Sequence, residues 1–426
     1  MHLLVGFAGF VQHPRQQPTN LAFFNGFMYG LSMTAMTLLI PLYAISQGFR
    51  LSEQGIIIAA PAAFMIVARL PGGAISDRFG ERIVIWFSFG TLLIAALFAM
   101  LPELLMGSGT QLKAHQTIWL LIVSQLFSGA SRSVYWSAAQ SYISRSAEGQ
   151  AGKVMGRQLA FESGAGILGA VSIGFIAEIA GFPVAFGLTA AICAIGITIT
   201  TSLPSLPRKD QVRSFMASFA PAKTMLFSRS LAFAHLVAFI AAAYAGLMGG
   251  LFIAFFRDVG YSEGATGAVR SLNAIGVVTV AYFFGILLAK IGPRWVGLLG
   301  MLATGVVSIG VAASGDLPVI PVALMALSGV TFGTLRTLYP ALAAEKSAPN
   351  QRAMALSVVS LYWAFAMLLS PLFFGYVADG TSIRTAMYIF GGFSIAVGLL
   401  SPLVYAIGNA PKEEAITEPA AEPSER

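Results

Sequence analysis

Two oppositely charged residues stand inside long apolar stretches of this sequence, where they could take part in proton exchange. Glu162 lies in the stretch 156–178 and Arg132 in the stretch 117–142. Ionisable groups at bilayer depth cost several kcal/mol, so they are usually paired or functional. Burial raises the pKa of a carboxyl group and an approaching cation lowers it, so the group changes its protonation when the cation moves. Glu162 is therefore predicted to be a proton carrier, with Arg132 as its partner. A fixed structural ion pair, or a contact at a cytoplasmic gate, remains an alternative interpretation of the same residues.

The stretches that hold these residues are long enough to cross a bilayer. Charged residues make up 10% of the 426 residues and hydrophobic types 57%, with a mean hydropathy of +0.78, which excludes a soluble enzyme. A helical span needs about 20 apolar residues, and backbone in lipid must be helical or a closed barrel. Runs of this length predict an all-α membrane protein with twelve transmembrane helices, placed at 20–46, 53–76, 83–105, 117–142, 156–178, 183–204, 230–256, 264–289, 294–313, 317–343, 353–377 and 385–408.

The distribution of basic residues predicts the domains and the orientation. The basic segment 205–229 divides the spans six and six, so 1–204 and 230–408 are predicted six-helix bundles and 409–426 a cytoplasmic tail. With the N-terminus inside, the cytoplasmic segments hold 17 Lys and Arg and the outer loops hold four. This positive-inside bias predicts a multi-pass protein of a plasma or bacterial inner membrane, with both termini cytoplasmic. It also explains the pI near 9.6 without a nucleic-acid partner.

The two halves of the chain are copies of each other. The pattern Gly-x-x-x-Asp-Arg-x-Gly-x-Arg at 73–82 returns 212 residues later at 285–294, with Ala289 in place of the acidic residue. Further along, Gly174-Phe-Ile-Ala-Glu178 matches Gly375-Tyr-Val-Ala-Asp379 at an offset of 201. An ordered set of matches at nearly constant offset is typical of an internal repeat. The sequence therefore predicts two six-helix bundles related by that repeat.

The pattern between spans 2 and 3 resembles the signature of the major facilitator superfamily, and the resemblance covers roughly residues 20–408. It implies two bundles around a central cavity that open alternately to the two sides of the membrane. In that family the loop residues lock the cytoplasmic side of the outward-open state. By position, this conformational gate consists of Asp77, Arg78 and Arg82, with Gly73 and Gly80 allowing tight turns and close approach. The alternative is that the basic residues merely anchor the topology.

Two departures from the family pattern weaken an assignment as a drug/proton antiporter. Such antiporters usually carry an Arg four residues before the glycine of span 4, whereas Gln125 precedes Gly129 here. They also carry a Gly-Pro pair in span 5, which here is Gly169-Ala170.

Several polar side chains are candidates for the substrate cavity. Asn25 and Tyr29 lie four residues apart on span 1 and Gln125 lies on span 4, and both spans line the cavity in this superfamily. The same side chains could equally satisfy hydrogen bonds between helices. Arg336, near the inner end of span 10, either faces the cavity and attracts anions or snorkels to the lipid headgroups. Arg270, near the outer start of span 8, is expected at the membrane interface.

Together these patterns predict a secondary active transporter of a small organic molecule. Proton coupling is expected, and efflux of amphiphilic compounds is preferred to the alternative, uptake or exchange of a carboxylate-type organic anion. A non-transporting membrane sensor is the alternative of another class. The single Cys, at position 193, and the four dispersed His residues predict no metal site and no cofactor. The expected partners are the substrate, protons and the lipid bilayer, and the chain is expected to be a monomer.

Overall fold

The first half of the chain forms six long helices. The computed structural model describes residues 17–146, 151–205, 220–314, 317, 319–347 and 352–409, with side chains except at 17–18, 69–78, 144, 151–156, 159, 220–221 and 353. Each helix contains or closely overlaps one predicted span. The helices are α1 Gln17–Ser46, α2 Leu51–Phe79, α3 Glu81–Gly107, α4 Ala114–Ser146, α5 Ala151–Ala180 and α6 Phe182–Thr201.

The second half repeats this arrangement with one difference. After the short helix α7 (Ala220–Leu226) and a 3-10 turn, predicted span 7 is divided into two helices. The break falls at Gly249 and Gly250, and Gly250 has φ −139° and ψ −78°, outside the helical range. Glycine weakens a helix without lowering its hydropathy much, so the apolar run conceals the break. The helices are α8 Ala232–Met248, α9 Leu251–Asp258, α10 Glu263–Ile291, α11 Pro293–Ala313, α12 Val319–Glu345, α13 Arg352–Gly380 and α14 Ile383–Gly408.

Most of the long helices are apolar enough to lie in lipid. The exception, α4, has its serine side chains inside the bundle. Within the described part of the chain, 11 helical segments are long and apolar enough to cross a membrane, with α8 and α9 counted as one. The remaining long helix is α4, which carries Arg132 and many Ser and Gln side chains. Its residues Ser124, Ser128 and Ser131 are at most 1% exposed, so they face the bundle rather than lipid. Together the long helices make the all-α architecture predicted from the sequence.

The repeat is visible in the backbone conformation. Gly80 and Gly292, which are 212 residues apart, precede helices α3 and α11 with φ of 88° and 80°. Gly48 and Gly260 form a second pair at that offset, with φ of 71° and 90°. Positive φ at this value is open mainly to glycine. Both halves therefore use glycine for the same turn at the same place.

The two halves touch mainly along two helix pairs, α2 with α13 and α5 with α10. We call the end of the bundle where α6 stops and α7 begins the linker end, and the opposite end the distal end. Gly55 of α2 lies against the carbonyl of Pro371, and Gly267 of α10 lies against that of Ala170. Gly55 and Gly267 are equivalent in the repeat, so the contacts between the halves are pseudo-symmetric. These contacts lie in the part of each pair nearer the distal end.

Candidate functional site

Glu162 is held in the interior of the first half, where α1 and α5 approach closely. Glu162 is only 6% exposed. Gly30 of α1 faces the Glu162 backbone so closely that a Cβ there would lie 2.9 Å from the carbonyl oxygen. A Cβ at Gly26 would lie 3.4 Å from Oε1 of Glu162. The absence of side chains at these two glycines therefore makes room for the buried carboxylate.

The Glu162 carboxylate is only partly satisfied by hydrogen bonds. Gln158, one helical turn earlier, donates from Nε2 to Oε1 at 2.9 Å. The other oxygen, Oε2, is buried and has no hydrogen-bond partner among the described residues. Arg336 of α12, in the opposite half, is exposed, and no ion pair joins it to Glu162 among the described residues. A buried carboxylate oxygen without a partner is costly, so it marks a group that exchanges a ligand or a proton.

The predicted partner Arg132 does not reach Glu162 in this conformation. The ion pairs among the described residues are Arg145–Glu81 and Arg257–Glu263, and neither joins these two. The Glu162 carboxylate instead accepts from Gln158 of its own helix.

The polar residues predicted for the cavity mostly bind other helices. The Tyr29 hydroxyl lies 3.1 Å from that of Ser131, and its ring stacks on Tyr135 with centroids 3.3 Å apart. Asn25 donates from Nδ2 to the Thr200 hydroxyl at 2.7 Å and is 2% exposed. These are helix–helix hydrogen bonds, the alternative to a role in the substrate cavity that the sequence analysis gave for these side chains. Gln125 is also buried, but its Nε2 has no partner among the described residues.

The predicted gate is described only in part. Gly80 makes the turn before α3, and Arg82 donates from Nη2 to the carbonyl of Thr201 at the end of α6. Glu81, between them, accepts from Arg145 and from Ser141 of α4, at 2.5 and 2.8 Å. The linker ends of α3, α4 and α6 are thus tied together. Gly73 lies within α2, and the side chains of Asp77 and Arg78 lie outside the described residues.

At the distal end, a carboxylate of each half caps a helix of the other half. Asp379, at the end of α13, accepts hydrogen bonds from the backbone N–H groups of Leu51 and Ser52, at 2.8 and 3.0 Å, and from the Ser52 hydroxyl. These N–H groups belong to the first turn of α2, where helical N–H groups have no partner within the helix. The negative charge also lies at the positive end of the helix dipole.

The repeat-related contact joins the opposite helices. Glu178, at the end of α5, accepts from the backbone N–H of Gly264 at 2.9 Å, in the first turn of α10. We call these two contacts, Asp379 with Leu51 and Ser52 and Glu178 with Gly264, the distal latches. The matched acidic positions were visible in the sequence repeat, but the helix ends that they meet were not.

Sequence analysis placed Arg270 at the membrane interface. Arg270 is instead half-buried between the halves, where Nη1 donates to the carbonyl of Met248 and Nη2 to the hydroxyl of Thr37, at 3.1 and 3.4 Å. Its neighbour Ser271 bonds the carbonyl of Ile167 at 3.0 Å, across the same contact. The spacing of Arg270 from Gly267, one helical turn, was the available signal that it faces the other half.

Comparisons with known proteins agree with this architecture. A family model described as the Major Facilitator Superfamily matches residues 22–257 and 234–425. A Bacillus subtilis (strain 168) protein, "Uncharacterized MFS-type transporter YqjV", is 30% identical over 132 residues, which are 30% of this chain and 28% of that protein. The matched region thus spans less than a third of that relative.

Solved structures of transporters share the fold over nearly the whole chain. A nucleoside transporter, NupG, has a TM-score of 0.73 at 14% identity, over 92% of this chain and 98% of that chain. A POT family transporter in complex with a thioalcohol conjugated peptide scores 0.72 at 15% identity, over 93% and 98%. A D-xylose–proton symporter scores 0.72 at 14% identity, over 90% and 96%. At such low identity these likenesses establish the fold and leave the cargo open.

Proposed function

This chain belongs to the major facilitator superfamily, a family of secondary transporters rather than enzymes, and we propose that it moves a small organic molecule across a membrane by alternating access. The observation that carries the proposal is the distribution of contacts between the halves. The distal latches and the glycine contacts close the distal end, and they must separate before a cargo can pass there. Carriers of this kind work by rocking two bundles around a central site.

The charge bias supports an orientation for this closed end. Most Lys and Arg residues lie in segments at the linker end, which the positive-inside rule puts in the cytoplasm. With that orientation the distal end is external, so the distal latches join the halves on the external side. The carrier then sits in a plasma membrane, or in a bacterial inner membrane, with both termini inside.

Proton coupling is proposed to run through Glu162. Its unpartnered oxygen is buried in the first half, and we infer that Arg336, in the second half, is the cation whose charge reaches it. When the halves rock, the distance between these two groups changes, and a carboxyl group near a moving cation changes its protonation. Only such a difference between states lets a proton gradient shift the equilibrium. The D-xylose–proton symporter is a solved protein of the same fold whose name includes a proton.

The cargo is proposed to be amphiphilic, with efflux as the direction. The interior of the first half around Tyr29 is aromatic, with Tyr135, Trp136 and Phe89 packed against it, which supports an apolar body in the cargo. Uptake or exchange of an organic anion is the second candidate. It is favoured by Arg336, a cation within the long helix α12 that belongs to no ion pair among the described residues.

Purified protein tests the proposal in two steps. A thermal-shift panel of lipophilic cations, carboxylates and sugars first identifies a ligand, because binding to the native state raises the melting temperature. That ligand is then followed in proteoliposomes with an imposed pH gradient. Glu162→Gln should abolish accumulation against the ligand gradient while binding persists, and Glu103→Gln, at the distal end, should behave like the natural protein. Accumulation by Glu162→Gln with the same pH dependence would show that Glu162 is not the carrier.

A further inference from the structure

A cavity of about 480 Å³ opens at the linker end of the first half, where three helices come together. It lies between the start of α3, the last turns of α4 and the end of α6. Its lining combines polar and apolar side chains, among them Glu81, Arg82, Ile83, Trp86, Tyr142 and Ser205. Pockets that bind small molecules have volumes of about 300–1,000 Å³, so this cavity is large enough for a polar headgroup.

The polar side of this cavity carries the guanidinium of Arg82, which is half-buried. The neighbouring carboxylate, that of Glu81, is neutralised by Arg145 at 2.5 Å, and neither ion pair in the described part of the chain includes Arg82. Arg82 donates from Nη2 to the carbonyl of Thr201, and a guanidinium has five N–H groups in all. It can therefore also bind a phosphate, which accepts paired hydrogen bonds from such a group.

The apolar side of the cavity continues along the outside of α3. Ile83, Trp86, Phe87 and Ile94 are all exposed, and Gly90 between them has open space beside it. Their spacing of three and four residues puts them in one stripe on the helix. From Ile83 to Ile94 this stripe runs about 16 Å, which is the depth of one leaflet of a hydrocarbon core about 30 Å thick. Tryptophan is enriched at the level of the headgroups, where Trp86 would then lie.

We propose that this cavity binds the headgroup of an anionic phospholipid from the leaflet at the linker end, with the phosphate at Arg82 and an acyl chain along the stripe of α3. A phospholipid brings a phosphate and a chain to this depth, because α3 and α6 are long and apolar enough to cross a membrane. Arg82 leaves the described lining with a net positive charge, which favours a lipid of net negative charge. The inference goes beyond the proposed transport and does not depend on it.

Lipid binding to the purified full chain tests this site. The melting temperature is measured in an uncharged detergent with added dioleoyl phosphatidylglycerol or dioleoyl phosphatidylcholine, and we expect the anionic lipid to raise it more. Arg82→Gln should weaken binding of phosphatidylglycerol about tenfold, the usual effect of losing a charged hydrogen bond. Arg294→Gln is the matched control, because Arg294 is equivalent to Arg82 in the repeat but lies over the Trp295 ring, 5.4 Å from its centroid. It should retain the preference for phosphatidylglycerol.

Two further variants test the same cavity without removing the bond from Arg82 to α6. Ser205 is exposed and lines the cavity, so Ser205→Glu should keep the unliganded melting temperature while its carboxylate weakens binding of phosphatidylglycerol several-fold. Trp86→Phe tests the position of the chain. Phosphatidylglycerol with brominated acyl chains should quench tryptophan fluorescence more than brominated phosphatidylcholine does, and Trp86→Phe should remove that excess.

Three results would overturn the site. Equal stabilisation of the natural protein by the two lipids would mean that the cavity does not select a charge. Equal losses of binding for Arg82→Gln and Arg294→Gln would indicate a general attraction of the basic end for anionic lipid. Glycerol 3-phosphate has the phosphate but no chain and should bind far more weakly than phosphatidylglycerol, so equal binding would assign the cavity to a soluble phosphate compound instead.

Discussion

At the scale of single residues, Gly30 and Gly26 determine whether Glu162 fits between α1 and α5. A methyl group at Gly30 would press on the Glu162 backbone and on Ala165, at 2.9 and 3.0 Å. Neither neighbour can rotate away, so Gly30→Ala should destabilise the fold by about 1–3 kcal/mol. Gly26→Ala meets only ordinary contacts with the Glu162 side chain and should leave stability nearly unchanged.

Thermal melting in detergent measures both variants. Gly90→Ala is the control, because a Cβ at Gly90 has no neighbour within 4 Å. Its helix propensity should make it as stable as the natural protein or slightly more so. Equal melting temperatures for Gly30→Ala and Gly90→Ala would contradict the close approach of α1 and α5.

The sequence predicted which residues of the site are buried, but not which side chains meet. Glu162 was identified because a carboxylate in an apolar run is conspicuous. Its partnership with Arg132 stays a prediction, because hydropathy shows depth in the membrane and leaves open which way each helix faces. The same limit placed Arg270 at the surface, although the structure puts it between the halves.

At the scale of helices, the turns before α3 and α11 should respond equally to substitution. Gly80 and Gly292 have positive φ, and a Cβ at either would touch nothing within 4 Å. Ala at either position is therefore opposed by backbone strain alone, about 1–3 kcal/mol. Gly285→Ala, within α10 and with open space around it, is the control. A large difference between the two losses of stability would contradict the equivalence of the two turns.

The distal latches should hold the distal end shut. Asp379→Asn removes the charge that caps α2, and Glu178→Gln removes the charge that caps α10. Each should raise the population of the distal-open state several-fold, and the double variant should raise it further because the latches act on different helices. Ser271→Cys in the contact between the halves reports the opening through its rate of labelling by an impermeant thiol reagent. The natural Cys193 is buried and gives little background.

Glu103→Gln is the matched control for labelling, because its carboxylate accepts from Gln47 within the first half. Labelling of the latch variants no faster than this control would mean that the latches do not determine the state. Sequence repeats revealed that Glu178 and Asp379 are equivalent. The helix ends that they cap depend on packing between halves, which a single sequence does not contain.

At the scale of the whole molecule, substitutions at the two ends of the bundle should shift the equilibrium between the two states in opposite directions. The resemblance to the family assigns Asp77 a role in closing the linker end, whereas Asp379 joins α13 to the first turn of α2 at the distal end. Asp77→Asn should therefore slow distal labelling of Ser271→Cys, and Asp379→Asn should accelerate it. The double variant should return towards the natural rate, because a two-state equilibrium responds to the difference between the states. Asp258→Asn is the control for loss of an acidic residue.

The architecture itself was the most predictable property. Twelve apolar stretches, a basic linker and a repeat sufficed for two bundles of helices, because a membrane permits few other solutions. The break between α8 and α9 was missed, since glycines interrupt a helix without interrupting its hydropathy. The alignment of the two bundles was equally absent from the hydropathy pattern, because it depends on glycine contacts such as that of Gly55 with Pro371.

The latches also have a consequence for how the carrier is hydrated. They lie at the surface, so opening exchanges their hydrogen bonds for bonds to water rather than leaving them empty. Such an exchange has a small net free energy, because the donors and acceptors stay satisfied in both states. Such a gate is held closed by specific hydrogen bonds, yet opening it costs little free energy because water replaces those bonds. Osmolytes that withdraw water from the opened crevice would then favour closure, so the external water activity becomes a regulator of the transport cycle.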